Sequence, residues 1–231
     1  MSYSLFNNKA IVAGVSMRAI GLPVKVVTYR GQTGNISRFD PVSYLTHLSP
    51  GVDRIICVAE AVRQSLLPQV WNADKLVTIY KGHDIRWYAG IEPARLDLLG
   101  VPPGSFVVTC VANNRPRKGI PQLIAAVGRL PTESCIHVVL VGGGMDGQAV
   151  GELLATSAGR ARITALGPRA DVLPIVAASN ATVLPALKRE GLPKSVIESM
   201  AGIPPIVTQY RRKPRNSSST VNPGWSCRRK P

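Results

Sequence analysis

The residue types best suited to chemistry gather in two short stretches. Arg115-Pro116-Arg117-Lys118-Gly119 stands where an apolar β-branched run gives way to a helical pattern. A helix start offers free N–H groups and the positive end of a dipole, and in an open α/β sheet it faces the crevice where ligands sit. Guanidinium and ammonium groups added there make a phosphate site; the same residues also describe a solvated basic turn. Glu190-Gly191-Leu192-Pro193-Lys194-Ser195-Val196-Ile197-Glu198 takes the same place after the strand pattern at 181–185. Its two carboxylates lie eight positions apart. One suits hydrogen bonds from sugar hydroxyls and the other from a ribose, and Gly191 lets backbone come close to a ligand. The competing arrangement puts Glu198 on the solvated face of a helix whose core face is Val196, Ile197, Met200 and Ala201.

Other signals are weaker. Gly142-Gly143-Gly144 falls short of a dinucleotide fingerprint and reads as a tight turn near a ligand. His83 and Asp84 read as turn residues, and His47, His83 and His137 lack metal-ligand spacing, so no metal is expected. Cys57, Cys110, Cys135 and Cys227 form no CxxC pair, which argues against a zinc site or a disulfide framework. There is no nucleophile elbow and no Walker A stretch.

The elements that must position these residues alternate. Strands are predicted at 24–29, 53–59, 75–80, 105–112, 136–141, 163–166 and 181–185, with another starting at Ile206. Helices are predicted at 60–67, 92–99, 119–130, 149–158, 171–178 and 193–201, the one at 92–99 closing on Gly100. Near-continuous apolar strands between helices indicate parallel sheets covered on both faces. The fold class is therefore α/β, with two Rossmann-like parallel-sheet halves at 1–100 and 101–208. Val101-Pro102-Pro103-Gly104 is the expected linker.

At 231 residues, with 45% hydrophobic residues, the chain is long enough for a real core. It has no apolar run long enough to span a bilayer and no signal-peptide pattern, so the expected setting is the cytosol. The net charge of +15 is uneven: seven of the 28 Lys and Arg residues, and no acid, fall in 209–231. That tail has no periodicity and is expected to be irregular. With Trp225 the single aromatic near its distal basic cluster, it supports only non-specific, salt-sensitive nucleic-acid binding.

Taken together, VANNRPRKG, VVLVGGG, ALGPRADV and ASNATVLPALKREGLPKSVIESMAGIPPIVT resemble the nucleotide-sugar half of retaining glycosyltransferases of family 4, which have the GT-B fold. Glu190 and Glu198 match that family's Glu-x7-Glu element. Upstream, VDRIICVAEAVRQSL and KLVTIYKGHD are similar to its late N-domain strands, so the resemblance covers about 1–208. It implies transfer of a hexose from a nucleotide-diphosphate sugar to a sugar, lipid or small-molecule acceptor, with retention and no obligatory cofactor. Lys118 would contact the diphosphate. Arg115 is the nearest substitute for an arginine the family carries earlier in this loop, where Ala112 and Asn113 stand. Gly119 and Gly143 would line the donor site, Glu190 with the amides of Gly191 and Leu192 would hold the sugar, and Glu198 would bind the ribose. Glu190 and Lys118 are thus the candidate catalytic residues. Many relatives act on lipid-linked acceptors, which leaves peripheral membrane contact open.

The departures carry their own expectations. The N-terminal half lacks the family's opening strand and Gly-rich loop, so it is expected to be incomplete and the chain to be a fragment of weak or absent activity. After Thr208 the tail can be back-translated in neighbouring frames to TGGNPELVVDGESGLVVPPK, the family's continuation, so the tail is expected to be out-of-frame peptide. The alternatives are a basic nucleic-acid-binding module and a GT-B sugar-nucleotide epimerase.

Overall fold

The computed structural model describes residues 2–5, 8–188 and 190–208. The expectations for the 209–231 tail lie outside the described residues. The described chain separates into two compact units, one made of the residues up to His83 with 190–193, the other of 84–188 with 194–208.

The first unit is a four-stranded parallel sheet in the order β1-β2-β3-β4, formed by β1 (Ser2–Leu5), β2 (Lys25–Arg30), β3 (Arg54–Cys57) and β4 (Leu76–Thr78). Helices α1 (Asn8–Ala19), α2 (Pro41–Leu45) and α3 (Glu60–Leu66) make the crossovers. Asp40 starts α2: its carboxylate accepts from the amides of Val42 and Ser43, and Pro41 supplies a pre-set first helical position. The core is built on Ile11, Val26, Val52, Ile55, Val62 and Leu66. At the amino end of β2, the Asp53 carboxylate accepts from the Val26 amide at 2.8 Å and meets the Arg18 guanidinium at 2.7 Å.

The second unit is a five-stranded parallel sheet in the order β7-β6-β5-β8-β9, comprising β5 (Phe106–Val111), β6 (Ile136–Val141), β7 (Ile163–Ala165), β8 (Ala181–Leu184) and β9 (Pro205–Val207). Helices α4 (Ile120–Gly128), α5 (Gln148–Ala155), α6 (Val172–Ala177) and α7 (Lys194–Met200) connect them. β5 and β6 are buried almost throughout because both faces of the sheet are covered. Ile120, Ile124 and Val127 form a stripe at helical spacing that fixes α4 on this core.

The chain runs from β5 through β6 to β7 on one side of the sheet, then returns to β8 and β9 on the other. This reversal is a topological switch point between β5 and β8, where the loops leaving adjacent strands diverge and open a crevice. In the first unit the described strands follow one another without reversal.

The α/β class and its parallel sheets agree with the sequence expectation; β1, α1 and α2 were not predicted, and two further details differ. The 92–99 segment is a 3-10 turn at Leu96–Leu99 rather than an α-helix. The Ala94 amide donates to the Pro174 carbonyl, and Arg95 pairs with Asp97, two residues on, so neither contact uses α-helical spacing. The units divide at His83 rather than at the 101–104 linker, because Ala94, Leu96 and Leu99 pack onto Val101, Val107 and Ile175 of the second unit. Among the described residues no helix is long and apolar enough to cross a membrane.

Candidate functional site

The predicted site residues distribute over the two units. Arg115, Lys118, Gly119, Gly143 and Glu198 belong to the second, and Glu190, Gly191 and Leu192 group with the first.

In the second unit the switch point draws three strand-exit loops together. After β5, Arg115 is exposed, and Pro116–Lys118 form a 3-10 turn whose Lys118 amide donates to the Arg115 carbonyl at 2.8 Å. Gly119 follows with φ +70°, and a β-carbon there would collide with the Pro185 carbonyl. Glycine is therefore required twice over, by the left-handed turn and by the close approach of the β8 exit. The Leu187 amide donates to the Arg117 carbonyl at 2.8 Å, which clamps the same two exits. The loop after β6 is joined to them by Asn113 and Asn114: the Gly143 amide donates to Asn113 Oδ1 at 3.0 Å and the Asn114 amide donates to the Gly143 carbonyl at 2.8 Å.

The result is a basic turn preceding α4, fixed from both sides at the place where an open sheet receives ligands. Arg115, Arg117 and Lys118 put three cationic side chains within four residues of this crevice, a setting for a polyanion such as a diphosphate. The sequence identified the charged residues. It did not single out Asn113, Asn114 and Leu187, which hold the loops in place; an asparagine pair directly after a buried strand is the signal that would have found the first two.

On α7 the structure departs from the solvated-face arrangement weighed for Glu198. Met200 is 70% exposed and Ser199 is 1% exposed, so the face assigned to the core is rotated. Val196 packs against the core, and the Glu198 side chain is only 11% exposed, held by Lys194 Nζ at 2.9 Å. Hydrogen bonding to Glu198, then its charge, raises the Lys194 pKa. Glu198 is thus a sheltered carboxylate rather than one on a solvated face.

In the first unit Glu190 is half-buried, and Leu192 packs against the hydrophobic core. Gly191 lies against the backbone of Gly31: a β-carbon on it would collide with the Gly31 carbonyl. Of the histidines, His47 is buried with Nδ1 3.0 Å from Thr28 Oγ1, and His137 sits 2.8 Å from Thr164 Oγ1. Asp84 caps the 3-10 turn Ile85–Tyr88 through the Arg86 amide. Among the described residues no group of three or more His, Cys, Asp or Glu side chains is placed to hold a metal.

A family model described as "Glycosyl transferases group 1" matches residues 105–223, just over half of the chain. No curated protein matches. Among solved structures, Anabaena HepE in complex with UDP is 22% identical with a TM-score of 0.72, covering 89% of this chain and 59% of that one. HepE has also been solved with UDP-glucose. Sucrose-phosphate synthase from Thermosynechococcus elongatus is 20% identical with a TM-score of 0.70, covering 89% and 55%. A glycosyltransferase from Rickettsia africae is 16% identical with a TM-score of 0.65, covering 87% and 62%. These likenesses show an α/β fold of parallel sheets of the kind found in GT-B glycosyltransferases, and the present chain spans less than two thirds of each of these structures.

Proposed function

This chain belongs to the glycosyl transferases group 1 family, and on that premise we propose that it handles a nucleoside-diphosphate sugar as a retaining family 4 hexosyltransferase. The observation that carries the proposal is the clamped basic turn at the β5–β8 switch point, Arg115 to Gly119, tied to the β6 exit through Asn113 and Gly143. HepE, which shares the fold, binds UDP and UDP-glucose, so a uridine donor is the first to test.

The diphosphate gains negative charge as its bond to the sugar C1 breaks. Lys118 and Arg115, with the start of α4 behind them, favour that charge more as it grows, and this lowers the barrier. No metal is assigned to the step. Glu190 with the amides of Gly191 and Leu192 is assigned to the sugar hydroxyls, and Glu198 to the ribose. The acceptor hydroxyl forms the new C1–O bond and passes its proton to the departing diphosphate oxygen; nucleoside diphosphate and a glycoside are released. A cytosolic sugar, lipid or small-molecule acceptor fits this assignment, with a membrane-surface acceptor among the options.

Calorimetric titration of the full chain with UDP and UDP-glucose tests donor binding. Saturable heat that is lost in a double Arg115→Ala, Lys118→Ala variant supports the proposal; absence of heat with either ligand overturns it. Should donor be turned over, the anomeric configuration of the product tests retention.

A further inference from the structure

We propose that Arg30 anchors an oxyanion site on the first unit, where it holds a carboxylate or phosphate group carried by the acceptor. This rests on the transferase assignment above and names the chemical class of its second substrate.

Arg30 is the last residue of β2, at the carboxyl edge of the parallel sheet, and pairs in register with Cys57 of β3. Its guanidinium is fixed by one bond, from Nη2 to the Gly34 carbonyl at 2.5 Å. That carbonyl is brought round by two successive left-handed residues, Gly34 at φ +75° and Asn35 at φ +58°. The Nε–H is buried and makes no hydrogen bond among the described residues. A buried guanidinium donor left unused is costly, and more so when no counter-charge lies beside it.

Three carboxylates of this unit are committed to other partners. Glu60 is taken by Arg63, Gln64 and Thr78, Asp40 by Ser43 and the start of α2, and Asp53 by Arg18 and Lys25. No ion pair joins Arg30 to a carboxylate among the described residues. The other titratable groups that feel its charge supply no anion either. Burial, then Arg30 itself, takes His47 down to about 4, and burial pushes the Cys57 thiol up to about 11 against the pull of Arg30 and Arg63. Both are neutral at pH 7.

Position argues for the acceptor as the source of the anion. The donor diphosphate is assigned to cations of the second unit, Arg115 and Lys118. Arg30 belongs to the first unit, and the residue after it, Gly31, has its carbonyl against Gly191, next to the Glu190 assigned to the transferred sugar. A guanidinium one residue from the backbone that meets Gly191, within the same unit as Glu190, is placed for the molecule that receives the sugar. An acidic sugar or a phosphorylated acceptor has this chemistry, and a planar guanidinium with a free Nε suits either oxyanion.

The test uses the full chain labelled with 15N-arginine. Inorganic phosphate, glucuronate and UDP are titrated separately while the Arg30 Nε–H resonance, assigned by its loss in Arg30→Lys, is followed by NMR. The expected result is saturable movement of that resonance with phosphate or glucuronate. Whichever anion binds should bind about tenfold or more weakly to Arg30→Gln, while UDP binds wild type and variant alike. Movement with phosphate alone identifies a phosphorylated acceptor, and with glucuronate alone an acidic sugar. A resonance unmoved by both anions, equal anion affinity in Arg30→Gln, or loss of UDP affinity in that variant overturns the proposal; the last returns the anion to the donor. Failure of the wild type to bind UDP instead counts against the transferase assignment, and the anion titrations are read independently of it.

Discussion

Asn113 Oδ1 accepts a hydrogen bond from the Gly143 amide at 3.0 Å, which ties the exit of β5 to the exit of β6. The bond is exposed, so its loss should cost stability only about 1 kcal/mol or less. Its effect on ligand binding should be larger, because it sets the loops around the basic turn. Asn113→Ala is expected to weaken UDP binding severalfold. Asn113→Asp keeps the acceptor but adds a negative charge beside the assigned diphosphate, and should weaken it further. Calorimetry on the three proteins checks the order wild type, Ala, Asp; an aspartate variant that binds best would contradict the placement of the phosphates.

Glu198 and Lys118 are assigned to different parts of the donor, and a truncated ligand separates them. Lys118→Ala should weaken UDP and pyrophosphate alike, by roughly tenfold each. Glu198→Gln should weaken UDP by a similar factor and leave pyrophosphate untouched. Competition titrations with the two ligands decide this. Equal losses for both ligands in Glu198→Gln would remove the ribose assignment.

Two glycine substitutions should move stability in opposite directions. Gly119→Ala forces a β-carbon into a left-handed residue and against the Pro185 carbonyl, at a cost of about 2–4 kcal/mol. Gly151 lies in α5 with open space where its β-carbon would go, so Gly151→Ala should stabilise by roughly 0.5–1 kcal/mol. Thermal denaturation of the two variants measures both effects.

His47 makes the first unit acid-sensitive. Burial and the charge of Arg30 hold it near 4, against an ordinary 6.5. As pH falls below about 6.5 the unfolded chain takes up a proton that the folded chain refuses until about 4, so stability drops across that window, by roughly 3 kcal/mol in all. His47→Gln, which can still bond Thr28, should flatten urea-denaturation stability between pH 7 and 4. An unchanged slope in the variant would place the acid sensitivity elsewhere.

Much of the second unit was legible because its strands are buried on both faces. Continuous runs such as 136–141 leave no other placement, and the helix after each one follows from Gly, Pro and helical spacing. α1 was not legible: Ile11 and Gly14 are its buried residues, and apolar side chains such as Val12 and Met17 point outward, so no stripe marks it. The charged candidates Arg115 and Lys118 declared themselves by type and position. Arg30 did not, since nothing local distinguishes it; its meaning comes from a buried Nε–H that finds no hydrogen-bond partner among the described residues. The same holds for Gly191, whose need for glycine is set by Gly31, far away in the chain.

The switch point also has a place in time. Thr109 on β5 meets Ser179, just before β8, through a 2.6 Å hydrogen bond spanning 70 residues of chain. A ribosome emits β5, β6 and β7 first, and these can pair with one another while the β8 side of β5 is still bare. The clamp of Leu187 on Arg117 and the fit of Gly119 under Pro185 come only when that later segment emerges. Until then the nascent chain carries an open, apolar strand edge of the kind that chaperones cover and that neighbouring chains exploit. The crevice thus forms only after β5, β6 and β7 have emerged, and the half-made sheet is the form most exposed to aggregation during synthesis.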